Sequence, residues 1–454
     1  MSKMTEPTPA DAGADRAVVA EASATPGVGE ALAASPPEPS SGVPGLRRVE
    51  IALLVIGMLG SALAYLVPMV FTLALKIDSL DPGDGVVLGY ILGVGSVVTL
   101  VTAPLTGVLS DRTRTRWGRR RPFTLAGMLV GIGAIALMAA SQDFVLLGLG
   151  WVLANLGWGT AMGSIGNIQA DRLAPSQRGK VGAIIGVVAQ VAPVTGILLV
   201  GPIASDIGLS MWLPALVGIP LVVAFLIGVR EADSRGTVFE TRLSVGMLFR
   251  SYVFRPSEHP LFAWNWLGRF LFFAGITFTS TYSTFFLASR LGLSVREIAP
   301  IVGLISLTGT VVSAIAAISA GWLSDRWGRR RPFILVSVLV YAGGVSVSAF
   351  SFSLPGLIVG AVCGSLGVAL FLAVNQAVVL DVLPHRETQA GRFLGITAFS
   401  QKIPNALAPL VAPVLLATGA AGSDNYTLLY LSAGVLVLLG GFIICLRVRP
   451  AIRS

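Results

Sequence analysis

Apolar residues gather along this chain into runs of about twenty, separated by short polar stretches. At 1.5 Å of rise per residue, such a run crosses the ~30 Å of hydrocarbon in a bilayer as a single helix. The runs fall at 51–75, 86–109, 122–141, 144–170, 180–204, 211–229, 261–288, 298–323, 332–352, 355–380, 391–417 and 426–446. The pattern therefore predicts an all-α membrane protein with twelve transmembrane helices. The longest polar gap follows the sixth run. It divides the membrane region into six-helix bundles at 46–230 and 261–447, joined by a linker at 231–260. Residues 1–45 show no apolar periodicity and are rich in Ala, Pro, Glu, Ser and Gly. Such a segment buries too little surface to offset its ordering entropy, so a disordered tail is expected there. Its scattered acids and missing apolar region argue against a signal peptide. Residues 448–454 are expected to form a short tail.

Composition strengthens this picture. The chain is 54% hydrophobic and 12% charged, against roughly 25% charged in a soluble domain. The net charge of +9 would suggest nucleic acid in a soluble protein. Here the bases sit between apolar runs, so the bilayer is the expected partner and nucleic acid is not. One set of loops carries Arg112, Arg114, Arg116, Arg119, Arg120, Arg121, Arg172, Arg178, Arg230 and Arg329 to Arg331; the opposite set carries Asp78, Asp81, Asp143, Asp206 and Asp424. By the positive-inside rule the Arg-rich loops are cytoplasmic, which places both termini inside a plasma (inner) membrane. The two cysteines, Cys363 and Cys445, lie inside apolar runs. No disulfide framework, metal site or cofactor is expected.

The strongest local signal is a repeat. Arg116-Trp117-Gly118-Arg119-Arg120-Arg121-Pro122-Phe123 recurs unchanged as Arg326 to Phe333, an offset of 210. Upstream, Leu109-Ser110-Asp111-Arg112 matches Leu323-Ser324-Asp325-Arg326, the first copy having four extra loop residues. Asp171 and Asp381 keep the offset of 210, while Gln190 and Pro193 match Gln401 and Pro404 at 211. A shared period of this length means two homologous halves, a recurrent transporter architecture.

The stretch Gly107 to Arg112, followed by Gly118-Arg119-Arg120-Arg121, resembles the loop 2–3 motif of the major facilitator superfamily. The second copy falls at loop 8–9, where that superfamily also places one. The longer form through Pro122-Phe123 most resembles the sucrose–proton and glycoside–cation symporter branch. The resemblance implies a monomeric secondary transporter, with no enzymatic activity. It implies alternating access between two rocking bundles, a small polar solute with sugars or glycosides first, and coupling to H+. A proton-coupled drug or metabolite exporter of the same superfamily is the alternative. Such exporters often carry Gly-Pro-x-x-Gly in the fifth span, and Ala192-Pro193-Val194-Thr195-Gly196 departs from it. A phosphate-binding Gly-x4-Gly-Lys-Ser/Thr loop is absent from the sequence, which argues against drive by ATP.

Candidate site residues follow from charge and position. Asp111 and Asp325 end the second and eighth spans, where a carboxylate can pair with Arg and accept bonds from a helix N-terminus. With Arg112, Gly118, Arg119, Arg120, Arg326, Gly328 and Arg329 they are candidates for a conformational latch; otherwise the Arg residues only set topology. Ionisable groups inside a span are functional candidates by default. Arg269 and Lys402 should line a cavity or meet a partner, unless they snorkel to the interface. Asn155 stands where the resemblance places an aspartate of plant sucrose symporters, and an amide cannot carry a proton. Gln190 and Gln401, each three residues before a proline, would face the pathway or glue helices together. Asn375 and Gln376 join the candidate lining, and Tyr282 could stack on a sugar ring. Asp171 and Asp381 would be gate or helix-end residues paired with Arg172, Arg178, Arg386 or Arg392, or coupling carboxylates. The halves differ at Lys402, which aligns with Val191, and at Asn155, which aligns with Ser365.

Overall fold

The computed structural model describes residues 45–82, 85–236, 254–384, 389–419 and 424–448. The expected tail at 1–44 and most of the expected linker, 237–253, lie outside the described residues. Within them the chain forms twelve long helices. The first six are α1 (Arg48–Leu80), α2 (Gly85–Asp111), α3 (Arg121–Ala140), α4 (Phe144–Arg172), α5 (Pro175–Val200) and α6 (Ile207–Gly228). The second six are α7 (Pro260–Leu291), α8 (Ala299–Trp327), α9 (Arg331–Phe350), α10 (Leu354–Asp381), α11 (Ala390–Leu416) and α12 (Tyr426–Arg447). Eleven of these are long and apolar enough to cross a membrane. The other, α11, matches them in length but is diluted by Gln401, Lys402 and Asn405 and by Pro404, Pro409 and Pro413.

Local chemistry fixes the helix ends. Asp143, Asp206 and Asn425 begin α4, α6 and α12 by accepting the backbone N–H of Leu146, Leu209 and Leu428 at 2.8, 2.9 and 2.9 Å. In α1, Pro68 has no N–H to continue the ladder, and the helix relaxes through a π turn at Pro68–Thr72.

Packing repeats from one half to the other. In the first half α1 packs on α6, α5 and α4, α3 on α4 and α6, and α2 on α4. In the second, α7 packs on α12 and α11, α9 on α10 and α12, and α8 on α10. Gly57 of α1 abuts Phe225 of α6 as Gly268 of α7 abuts Ile444 of α12. These are two pseudo-symmetric six-helix bundles. The bundles meet through α2 against α11 and α7, and through α5 against α8. The close approaches at this junction lie toward the acidic end: Gly89 meets Tyr282 and Pro409, Gly93 meets Leu410, and Gly303 meets Leu198. On the Arg-rich ends of the same helices, Gly107, Gly179 and Gly321 face open space. The halves are joined at the acidic end and part toward the Arg-rich end.

Candidate functional site

The first copy of the Arg-rich loop folds into an ion cluster. Arg120 is buried, bonding Asp111, the Ser110 hydroxyl at 3.0 Å and Asp171 at 3.0 Å. Arg119 reaches the same Asp171 oxygen at 2.9 Å. The N-terminus of α3 donates the backbone N–H groups of Arg120 and Arg121 to the Glu231 carboxylate, at 2.8 and 3.1 Å. Gly118, at φ +86°, makes that approach possible, because a Cβ there would strike Glu231. Residues 231–234, placed in the linker by sequence, are therefore strapped onto the first half; Thr115 and Ser234 exchange further bonds at 2.9 and 3.1 Å. One expectation is corrected here. The acid at the helix N-terminus is Glu231 rather than Asp111. The ion pairs of Arg119 and Arg120 lie inside the first half.

The second copy is sparser. Arg330 pairs with Asp381, the counterpart of Arg120 with Asp171. Arg331 donates to the Val448 carbonyl at 3.0 Å, as Arg121 donates to that of Leu226. Val448 thus belongs to the bundle rather than to the tail. Gly328, at φ +61°, caps α8 with open space around it. The Asp325 side chain lies outside the described residues.

Two polar nodes lie inside the bundles. In the first half Asn155 is buried at 3% exposure, so it is a packing group rather than a pathway surface. Its Oδ1 accepts the Tyr65 hydroxyl at 2.7 Å and the Thr99 hydroxyl at 3.0 Å, tying α1, α2 and α4 together. In the second half Arg269 is buried at 7% exposure between α7, α10 and α11. It donates to Asn375 and, at 3.2 Å, to Ser400, and it lies over the Phe273 ring at 5.3 Å. Asn375 in turn donates to Asn265 at 3.0 Å. Arg269 and Asn375 therefore face each other rather than an open cavity.

The other candidates separate. Gln190, Gln376, Gln401 and Lys402 are exposed. Lys402 lies one turn before the buried Ala406 on α11. Tyr282 is fully buried and donates to the Pro409 carbonyl at 3.3 Å. It belongs to the closed junction with α2, because Gly89 sits directly on its hydroxyl. Stacking on a solute is not available to it in this conformation.

A chamber of about 340 Å³ opens within the second half. Among the described residues its walls come from α7 to α10 and α12, with Gln190 of α5 the one first-half residue. Ser280, Ser283, Ser313, Ser348, Ser365 and Tyr341 supply hydroxyls, and no charged side chain among the described residues lines it. Sequence reasoning passed over these residues. The signal was present as Thr277-Phe278-Thr279-Ser280-Thr281-Tyr282-Ser283-Thr284, a hydroxyl run inside an apolar span.

A model of the Major Facilitator Superfamily matches residues 49–318 and 300–454. The chain belongs to that superfamily. It is a multi-pass membrane protein with the fold of a secondary transporter. Over 134 residues, 27% of this chain and 20% of the relative's length, it is 31% identical to Sucrose transport protein SUT4 of Oryza sativa subsp. indica. Over 380 residues, 72% of this chain and 68% of the relative, it is 24% identical to a Multidrug resistance protein B homolog of Mycobacterium tuberculosis. The crystal structure of the nucleoside transporter NupG superposes with a TM-score of 0.69 at 12% identity, covering 88% of this chain and 98% of that one. That likeness establishes the fold.

Proposed function

We propose that this chain carries a small neutral solute rich in hydroxyls, glycosides and disaccharides first, across the plasma membrane by alternating access. The observation that carries the reading is the chamber, walled by hydroxyls and aromatic rings and, among the described residues, free of charged side chains. The partial match to a sucrose transport protein supports the same class. With the Arg-rich loops and both termini cytoplasmic, the conformation described is open to the cytoplasm and closed outside. The opposite state forms when the halves rock and α2 parts from α11. The intrahalf cluster of Asp111, Arg120 and Asp171 then offers its outer Arg residues to the other half as a latch. Asp171 and Asp381 act as gate residues, each held by Arg. Among the described residues, the middle of the spans carries no carboxylate, so the solute's own gradient is the primary drive. Any proton coupling has to run through the acids of the Arg-rich end.

An exporter of apolar compounds is the second reading, supported by the long alignment to the multidrug resistance homolog and by Phe286, Tyr341 and Tyr430 in the chamber wall. Uptake into proteoliposomes of neutral glycosides, sugar acids and cationic dyes, with and without an imposed pH gradient, separates the two. Glycoside uptake that persists without the gradient is expected. Dye transport driven by the gradient, with no sugar moved, would replace the first reading by the second.

A further inference from the structure

The chamber occupies a place that the first half fills. α4 and α10 are one helix in two copies: they start at Phe144 and Leu354 and carry Asp171 and Asp381, both 210 apart. Their packing keeps that register. Gly157 abuts Gly131 of α3 as Gly367 abuts Tyr341 of α9, and Gly150 abuts Met138 as Gly360 abuts Ser348. Read across this register, Trp151 becomes Ala361, Asn155 becomes Ser365 and Trp158 becomes Val368. The α1–α6 and α7–α12 crossings likewise pair Gly57 with Gly268, which sets Tyr65 against Ile276.

In the first half these four residues form a plug. Trp151 and Trp158 are buried at 1% and 0% exposure. Trp151 stacks on Tyr65 with centroids 5.9 Å apart, and the Tyr65 hydroxyl bonds Asn155 at 2.7 Å. In the second half the smaller replacements Ile276, Ala361, Ser365 and Val368 are all chamber walls. The space is that of an absent aromatic plug. An apolar void of this size would be a large penalty to stability. This one is lined by hydroxyls, which favour a polar occupant.

The wall also says what kind of occupant. The Ser280 and Ser283 hydroxyls donate to carbonyls of their own helix, at 3.4 and 3.1 Å. Their lone pairs remain for the chamber, and Thr279 and Tyr341 share a bond at 2.7 Å in the same wall. A wall rich in hydroxyl acceptors, with the stacked Phe286–Tyr430 pair at its side and, among the described residues, no charged side chain in it, suits a ligand that brings its own O–H donors on a C–H scaffold. A space of about 340 Å³ lies within the ~300–1,000 Å³ range of small-molecule pockets.

Resting on the transport reading above, we infer that the second half seats one neutral sugar ring of the glycoside in this chamber, with Gln190 of α5 as its contact from the first half. A solute that meets both halves through Gln190 interacts differently with the open and closed states, which is what a ligand must do to shift them.

The test is equilibrium binding of radiolabelled methyl α-glucoside and maltose to the purified full chain in nanodiscs, with glucuronate as charged competitor and thermal unfolding as the folding check. Ala361→Trp rebuilds the plug and is expected to weaken binding more than about tenfold by steric exclusion. Ser365→Ala, which spares the packing, is expected to weaken it about fivefold, the worth of one hydrogen bond. Neutral sugars should compete and glucuronate should not. If Ser365→Ala and a folded Ala361→Trp both bind methyl α-glucoside as the unmodified chain does, the seat is elsewhere and the transport reading stands. If Ala361→Trp fails to fold, Ser365→Ala alone decides. If the unmodified chain binds neither glycoside, the seat and the glycoside reading fall together.

Discussion

In the first half, Leu54, Met58 and Ile165 belong to a buried apolar cluster toward the Arg-rich end. The register that pairs Gly57 with Gly268, and α4 with α10, places Asn265, Arg269 and Asn375 at those positions in the second half. One scaffold thus encloses an apolar core layer in one copy and a cation held by amides and a serine hydroxyl in the other. The plug and the chamber repeat the lesson one layer further in. Duplication fixed the backbone, and each half then diverged in what fills it. Among the described residues Arg269 has no carboxylate partner, so its burial is tolerated only because Asn375 and Ser400 accept hydrogen bonds from its N–H groups and Phe273 offers a ring face.

The strongest way to break this comparison is to exchange the layers. Arg269→Met alone strands the Asn375 carbonyl, and is expected to destabilise by about 2 kcal/mol, the penalty of an unsatisfied buried polar group. Asn265→Leu, Arg269→Met and Asn375→Ile together install the first-half layer. Replacing a whole buried ionic node by apolar groups is often neutral, so the triple variant should regain stability to within about 1 kcal/mol. Thermal unfolding in detergent reads both. A single variant as stable as the unmodified chain would show that the node does not hold α7, α10 and α11 together.

The two junctions between halves differ in the same direction. A Cβ on Gly89 would collide with the Tyr282 hydroxyl and the Pro409 backbone carbonyl. A Cβ on the matching Gly303 would lie 3.1 Å from Leu198 Cδ2, the free end of a flexible side chain. Gly89→Val should therefore force the acidic end apart, while Gly303→Val is absorbed. Thiol labelling from the acidic side at Leu410→Cys, with Cys363 and Cys445 replaced by Ser, should speed up by more than about tenfold in the first variant only, a shift of about 1.4 kcal/mol between states. Equal labelling in both would mean that α2 and α11 do not form the dominant seal.

Much of this was legible in the sequence. The apolar runs and the 210-residue offset revealed the helices and their duplication, because lipid leaves the backbone few options. The loop motif pointed to Asp111 and Arg120, while Asp171, singled out at the end of the fourth span, pairs with Arg119 and Arg120 of that loop rather than with Arg172 or Arg178. What stayed hidden depended on partners far away in the chain. Arg269 looked like a cavity cation because its acceptors lie 106 and 131 residues on and carry no charge to mark them. Glu231 gave no signal at the end of α6, since its partners are backbone N–H groups. The chamber is defined by absent bulk at Ala361 and Val368, which only the fixed register of two helices can reveal. Tyr282 has the chemistry of a ligand stack, but its neighbour on α2 is a glycine, which lets a helix rather than a solute rest on it.

The loop copies give a smaller, graded contrast. Gly118 and Gly328 both sit at positive φ, +86° and +61°, so alanine strains each by about 1–2 kcal/mol. Only at Gly118 does the added Cβ also strike Glu231. Gly118→Ala should lower the unfolding midpoint more than Gly328→Ala; equal shifts would show that the Glu231 strap gives way freely.

The strap itself yields the smallest effects, and they separate two acids only two residues apart. Glu231 accepts two N–H groups at the start of α3, where a negative charge contributes about 0.3–1 kcal/mol. The matching sequence position after α12 is Pro450, a residue without a carboxylate. Glu231→Gln should lower the unfolding midpoint slightly. Asp233 is exposed, and its neighbour Arg235 holds its carboxyl at about 2, below the ordinary 3.8. A depressed carboxyl contributes stability above its ordinary value and loses it as pH falls toward 2. Here the partner lies two residues away and can pair in the unfolded chain as well, so folded and unfolded states hold the proton alike. Asp233→Asn should leave both the midpoint and its decline between pH 5 and about pH 3 unchanged, as expected for an exposed ion pair. A midpoint shift as large as that of Glu231→Gln would move the anchor of the strap from the α3 N-terminus to the surface pair.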